Sequence, residues 1–206
     1  MILGSDLTFL LNYGYNLTGI SKSEMKIGYV TTASKGSRTN FNETLKAKII
    51  ENGYVIEEFD IEDKTEEQIR NFFVDKNIIH VEGGNSFYLL RAVRNSGFGK
   101  ILNELLAQGK IYIGTSAGSY ITCPTIEVSD WSNDETVSRF GVTDFTALNL
   151  VPFVLKVHYK DEDKDLLQEK IKIFKYPIRI LRDGQGILAE DGKFTFVGDG
   201  EEVIMN

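Results

Sequence analysis

Short runs of β-branched and aliphatic residues alternate along this chain with longer stretches of helical period, and that alternation restricts its folds more than any other feature. Residues 26–31, 54–59, 78–82 and 111–113 read as buried strands. Between them, residues 39–52, 65–73, 87–94 and 98–108 carry apolar side chains three and four apart. In the first of these helices Phe41, Leu45, Ile49 and Ile50 share a side, and Gly53 ends it. Ile2-Leu3 followed by residues 7–17, with Asp6 as cap, fits the same order. Strands joined by such helices need right-handed crossovers. The expected fold is therefore α/β, a three-layer, mostly parallel sheet with helices on both faces. From Ile178 the rhythm changes. Segments 178–181, 186–190, 194–197 and 202–204 follow one another without a helix, and Asp183-Gly184 and Asp191-Gly192 are hairpin turn signals. These predict a C-terminal antiparallel β appendage on a single domain spanning residues 1–206.

The strand at Ile111–Ile113 runs into Gly114-Thr-Ser-Ala-Gly118, a G-x-S-x-G pentapeptide followed by residues able to open a short helix before Pro124. Strand, sharp turn and helix start are the setting of a nucleophile elbow. The turn strains its middle residue, and flanking glycines allow neighbouring backbone to approach. Ser116 is thus the candidate nucleophile, and the Ala117 N–H points where an oxyanion would form.

In open parallel sheets, ligands sit at the carboxyl ends of the strands. The loops 33–39, 83–86 and 114–119 are expected to meet there. Gly83-Gly84-Asn85 leaves its strand with two residues lacking a side chain. Its N–H groups either pair with Ala117 as an oxyanion hole or cap the helix that begins near Ser86. A serine needs a base, and the chain has two histidines, His80 and His158. His80 falls within a strand and reads as a core residue. His158 follows the apolar run 151–155 at a strand-to-loop boundary, and is the base by elimination. For the carboxylate that would orient it, Glu127, Asp130, Asp134, Glu135 and Asp144 all lie between serine and histidine, in the chain order Ser, acid, His.

Composition narrows the function classes. A net charge of −7 and a pI near 5.0 give nucleic-acid binding no electrostatic support. One cysteine, Cys123, excludes an intrachain disulfide, and with two histidines it argues against a structural zinc site. No metal and no cofactor is expected. The first six residues lack a basic leader region and no apolar run has the length of a membrane span, so a cytoplasmic protein without membrane contact is expected. Gly97-Phe-Gly99 lacks the third glycine of a dinucleotide fingerprint and does not follow a strand.

Four ordered blocks go further: Val81-Glu-Gly-Gly-Asn-Ser-Phe87, Ile113-Gly-Thr-Ser-Ala-Gly118, Cys123-Pro-Thr-Ile126, and Ala147-Leu-Asn-Leu-Val-Pro152 leading to His158. Together they resemble the peptidase E and cyanophycinase family of serine peptidases. The resemblance implies a fold like the class I glutamine amidotransferases, with serine in place of their elbow cysteine. It implies Ser116 as nucleophile, His158 as base, and the Gly84 and Ala117 amides as oxyanion donors. The family's triad aspartate would fall shortly after the Cys-Pro-Thr-Ile block, where an ungapped count lands on Trp131 with Asp130 one residue earlier, and Asp134 and Glu135 are the alternatives. Aspartyl dipeptidases of this group carry an arginine after the catalytic histidine. Here the stretch from His158 through Lys170 has no arginine and many acids, so a preference for N-terminal aspartate is not expected.

The expected function is a serine peptidase acting on short peptides through an acyl-enzyme. An esterase or amidase for a small non-peptide acyl compound, or a non-catalytic binder of a small ligand, are the alternatives. A homodimer is compatible with this reading.

Overall fold

The computed structural model describes residues 1–37, 41–131 and 138–205. Seven strands form one sheet in the order β3-β2-β4-β5-β1-β8-β9. Strands β1 (Ile2–Gly4), β2 (Ile27–Val30), β3 (Ile56–Phe59), β4 (Ile78–Val81) and β5 (Ile111–Thr115) run parallel. Strand β8 (Gln185–Glu190) pairs antiparallel with β1, and β9 (Lys193–Gly198) antiparallel with β8.

Side chains on a strand alternate between faces, and the core divides accordingly. Ile2, Ile27, Tyr29, Ile78 and Ile113 pack on one face with Phe9, Leu10, Tyr15 and Ile49. Leu3, Val30, Ile79, Val81 and Tyr112 pack on the other with α3 (Glu66–Phe73), α4 (Ser86–Ser96) and α5 (Phe98–Ala107). Helices therefore cover both faces, and the inner strands β1, β2 and β4 are buried along their whole length, while the edge strands β3 and β9 are partly exposed.

Most expected elements are present with shorter bounds. Asp6 accepts a hydrogen bond from Phe9 N at 3.0 Å and caps α1 (Leu7–Phe9), which continues through a π-type stretch, Leu10–Gly14, and a 3₁₀ turn, Asn16–Thr18. Helix α2 is Phe41–Glu51, with Ile49 buried and Ile50 facing out. Thr65 and Gln68 form a reciprocal capping box at the start of α3.

The C-terminal antiparallel strands exist, but β8 and β9 extend the main sheet. Their neighbour β7 (Ile178–Ile180) leaves that group and pairs in parallel with β6 (Val154–Lys156). A one-residue bridge from Ile180 to Val203 is what the expected last strand contributes.

Candidate active site

The elbow forms at the carboxyl end of β5, where the chain turns into α6 (Ala117–Tyr120). Ser116 has φ 50° and ψ −109°, a conformation that L-residues avoid unless their surroundings enforce it. Here the anchors are visible. Ser116 N donates to Gly4 O at 3.1 Å, Tyr112 Oη donates to Gly118 O at 2.6 Å, and Ser119 Oγ lies 2.7 Å from Gly4 O and 2.9 Å from Gly114 O. The glycines of the pentapeptide are sterically required. A Cβ on Gly118 would lie 2.1 Å from Val81 O, and one on Gly114 would lie 2.6 Å from Gly118 O.

His158 stands opposite, one residue beyond the strand continuation at Val157. Val157 N donates to Tyr120 Oη at 3.2 Å, which ties the approach to His158 to the helix behind the elbow. His158 Nε2 is 3.0 Å from Ser116 Oγ, and its Nδ1 is 2.5 Å from Asp183 Oδ1. A carboxylate only accepts, so Nδ1 carries the ring proton and Nε2 is left to accept from the serine.

The pairing of β6 with β7 explains why Asp183 is there. Past the strand ends, Leu181 N donates to Lys156 O at 2.8 Å and Tyr159 N to Leu181 O at 3.0 Å. This bracket brings residues 158 and 183 side by side. The turn that holds Asp183 is fixed from the far end of the chain, since Gly184 N donates to Asp6 Oδ1 at 2.9 Å and Ser5 N to Gln185 O at 2.9 Å. Burial works against a charge on Asp6, yet hydrogen bonds from the Phe9 and Gly184 amides and the Thr8 and Ser5 hydroxyls hold its carboxyl below the usual range.

Asp130 is not brought to His158. Its carboxylate takes a two-pronged contact from Arg139, with Nε 3.0 Å from Oδ1 and Nη2 2.5 Å from Oδ2. Asp144 pairs with Arg94, and Glu127 is exposed at the start of a 3₁₀ turn. Asp134 and Glu135 lie outside the described residues. The order along the chain is therefore Ser116, His158, Asp183, with the acid last. Sequence reasoning did meet Asp183-Gly184, as a turn signal. The signal missed was that this turn sits at the carboxyl end of a strand parallel to the one that delivers His158.

Gly84 and Ala117 flank Ser116. Gly84 has φ +142°, and a Cβ there would lie 2.5 Å from the Ala33 carbonyl, so a side chain is excluded on two counts. Among the described residues, neither the Gly84 nor the Ala117 N–H takes part in a hydrogen bond. Both are free to face an oxyanion. Asn85 also fulfils the alternative reading. Its Oδ1 accepts from Tyr88 N at 2.9 Å and caps α4, while its Nδ2 donates to Ser138 O at 3.0 Å.

Ser116 and His158 line an open cleft of about 620 Å³ that also includes Lys35, Gly84, Asn85, Phe140 and Lys156. The loops expected at 83–86 and 114–119 meet there, together with residues 35–37 of the first loop. His80 is buried, as expected of a core residue, with Nδ1 3.3 Å from Tyr15 Oη and Nε2 3.4 Å from Thr115 Oγ1. Burial pushes it down to about 3, so it is neutral at ordinary pH. Cys123 is free and buried, and its thiol is pushed up to about 12. Among the described residues, no group of three or more His, Cys, Asp or Glu side chains is placed to hold a metal, and no helix is long and apolar enough to cross a membrane.

The model of peptidase family S51 matches residues 14–197. The chain belongs to that family. Its serine-type peptidases are the group to which the four sequence blocks pointed. Among curated relatives, this S51 peptidase is 34% identical to an uncharacterised peptidase of Listeria monocytogenes over 70% of its own length and 71% of the relative's. It is 26% identical to peptidase E of a Nostoc species, over 87% of its own length and 75% of the relative's. A crystal structure of a candidate peptidase E protein from Listeria monocytogenes EGD-e superimposes with a TM-score of 0.79 at 26% identity, covering 97% of this chain and 98% of that one. A peptidase from an acI-B1 actinobacterium, at 16% identity and a TM-score of 0.68 over 98% and 88% of the two chains, shares the fold.

Proposed function

We propose that this peptidase cleaves short peptides through an acyl-enzyme on Ser116. The observation that carries the reading is the continuous hydrogen-bond row from Ser116 Oγ through His158 to Asp183. His158 Nε2 takes the hydroxyl proton as Ser116 attacks the scissile carbonyl, then returns it to the leaving amine. Asp183 holds the imidazole in the tautomer this requires and stabilises its charged form. The Gly84 and Ala117 N–H groups receive the charge that develops on the carbonyl oxygen, a contribution on the order of 3 kcal/mol per donor in comparable sites. Water then enters by the same route and releases the acyl group. A cleft of about 620 Å³ accommodates a few residues and favours short substrates over folded proteins. We place the enzyme in the cytoplasm, where a single thiol such as Cys123 stays reduced.

The test is labelling with a fluorophosphonate probe followed by peptide mapping, alongside hydrolysis of a short-peptide library. One adduct on Ser116, lost in His158→Ala, is expected, and Ser116→Ala should abolish hydrolysis without changing the fold. Peptide hydrolysis that survives Ser116→Ala would overturn the assignment.

A further inference from the structure

Ser138 and Phe140 bring a stretch of irregular backbone into the wall of the open cleft. Phe140 has φ 49°, a conformation that a bulky L-residue adopts only where its surroundings enforce it. The restraints come from several directions. Asn85 Nδ2 donates to Ser138 O at 3.0 Å, and Asp130 receives the two-pronged contact of Arg139, the residue just before Phe140. Further on, Arg94 Nη2 donates to Thr146 O at 2.6 Å and lies 3.3 Å from Asp144 Oδ2.

The ring is held as well. Its centroid lies 4.9 Å from that of Tyr88 in an edge-on contact, and the central carbon of the Arg91 guanidinium is 5.5 Å from it. Glu62 fixes both partners, accepting from Tyr88 Oη at 2.6 Å and lying 3.5 Å from Arg91 Nη2. Phe140 nevertheless stays only half-buried. Phe87, Tyr120, Val128 and Val157 add apolar groups to the same lining. The two described lysines of the cleft already have acids: Lys35 is paired with Asp60 and Glu62, and Lys156 has Asp163 at 4.0 Å. An aromatic ring, braced against backbone strain and left partly open, thus stands in a cleft whose lysines are engaged.

We propose that Phe140 is a specificity-determining residue, the wall of a subsite for a large apolar or aromatic side chain of the substrate. Burying such a side chain against the ring removes apolar surface from water and fixes how a short peptide lies across Ser116. The proposal rests on Ser116 being the nucleophile, which makes this cleft the substrate's. Asp130 then has a positioning role. Through Arg139 it fixes the backbone that carries the ring, without touching the reacting atoms.

Four tripeptides test it: trialanine and the three peptides in which phenylalanine replaces its first, second or third residue. The readout is the concentration of each that halves the rate of fluorophosphonate labelling at Ser116. At least one phenylalanine peptide should protect at a concentration ~10-fold or more below trialanine, as expected for burying an aromatic side chain. The position that protects best identifies the residue recognised. Phe140→Gly removes the ring at a backbone conformation that glycine adopts freely, and should shrink the ratio to within ~2-fold. Phe140→Leu should keep part of it. Asp130→Asn should lower the ratio as Arg139 loosens, whereas a purely structural role would weaken protection by all four peptides alike. Melting transitions show that each variant is folded. Equal protection by all four peptides in the wild type, or a phenylalanine advantage that survives Phe140→Gly, overturns the proposal. A ratio unchanged in Asp130→Asn overturns the positioning role. If the probe fails to label Ser116, the nucleophile assignment falls first. Calorimetric titration of the same four peptides into the wild type and Phe140→Gly then decides the subsite independently.

Discussion

At the scale of single residues, the site depends on two backbone conformations that L-residues rarely adopt, Ser116 at φ 50° and His158 at φ 57°. Neither is a glycine, so both are held by neighbours rather than chosen locally. Asp183 completes the row, and its side chain is more than half exposed. An exposed ion pair contributes little to folding, so the value of Asp183 lies in fixing the imidazole. Asp183→Asn is therefore expected to lower kcat by roughly 10²- to 10⁴-fold, because an amide can stabilise the wrong tautomer. The melting temperature should shift by no more than a few degrees. Steady-state kinetics and a thermal scan on the same preparation check both. Ser116 was legible from the pentapeptide and its strand, and His158 from the scarcity of histidine. Asp130 was favoured by an ungapped count from one block, but Arg139 engages it instead. Glu82 read only as the end of a strand, since burial beside a cavity is not a property of local sequence.

Among elements, the alternation of strands and helices was readable because each unit follows from its own apolar period. Lateral order was not. Nothing local to residues 178–180 indicates that they pair with residues 154–156, and that pairing is what carries Asp183 to His158. The second determinant is the segment after β1. Asp6 caps α1 through Phe9 N and receives Gly184 N, so one carboxylate terminates a helix and fixes the turn of the acid. Removing it in Asp6→Ala should cost about 1–2 kcal/mol of stability, the usual value of a lost cap. It should also lower kcat with little change in KM, as Asp183 loosens. Asp6→Asn keeps an acceptor oxygen and should recover most of both. Urea denaturation and kinetics on the pair of variants separate the two effects, and equal kcat in all three proteins would remove the positioning role.

The whole molecule carries two buried groups whose ionisation opposes folding in different pH windows, Glu82 by losing a proton and His80 by gaining one. Unfolded Glu82 releases its proton near 4.5, while the folded residue keeps it to about 8. Stability is therefore unaffected by this group below 4.5, declines as pH rises between these values, and has lost the full contribution above 8. Unfolded His80 binds a proton below 6.5, which the folded residue refuses until about 3, so stability declines as pH falls through that interval. Between 4.5 and 6.5 the two slopes offset. Glu82→Gln should flatten the alkaline decline, a gain on the order of 3–5 kcal/mol at pH 9, and leave the acid limb unchanged. Unfolding in urea at pH 5, 7 and 9 measures it, and an alkaline limb identical in the variant would show that other groups set it.

Strand β1 is only three residues long, yet it lies between β5 and β8, and Met1 N and Ala189 O are 2.7 Å apart. Strand β1 thus has to wait for β8, nearly two hundred residues downstream, before its second edge is covered. The same closure seats the turn bearing Asp183 on Ser5 and Asp6. On the ribosome, then, a nascent chain would display its serine long before it possessed a finished site. The hydrogen-bonded row from Ser116 through His158 to Asp183 would close only after β8 has paired with β1.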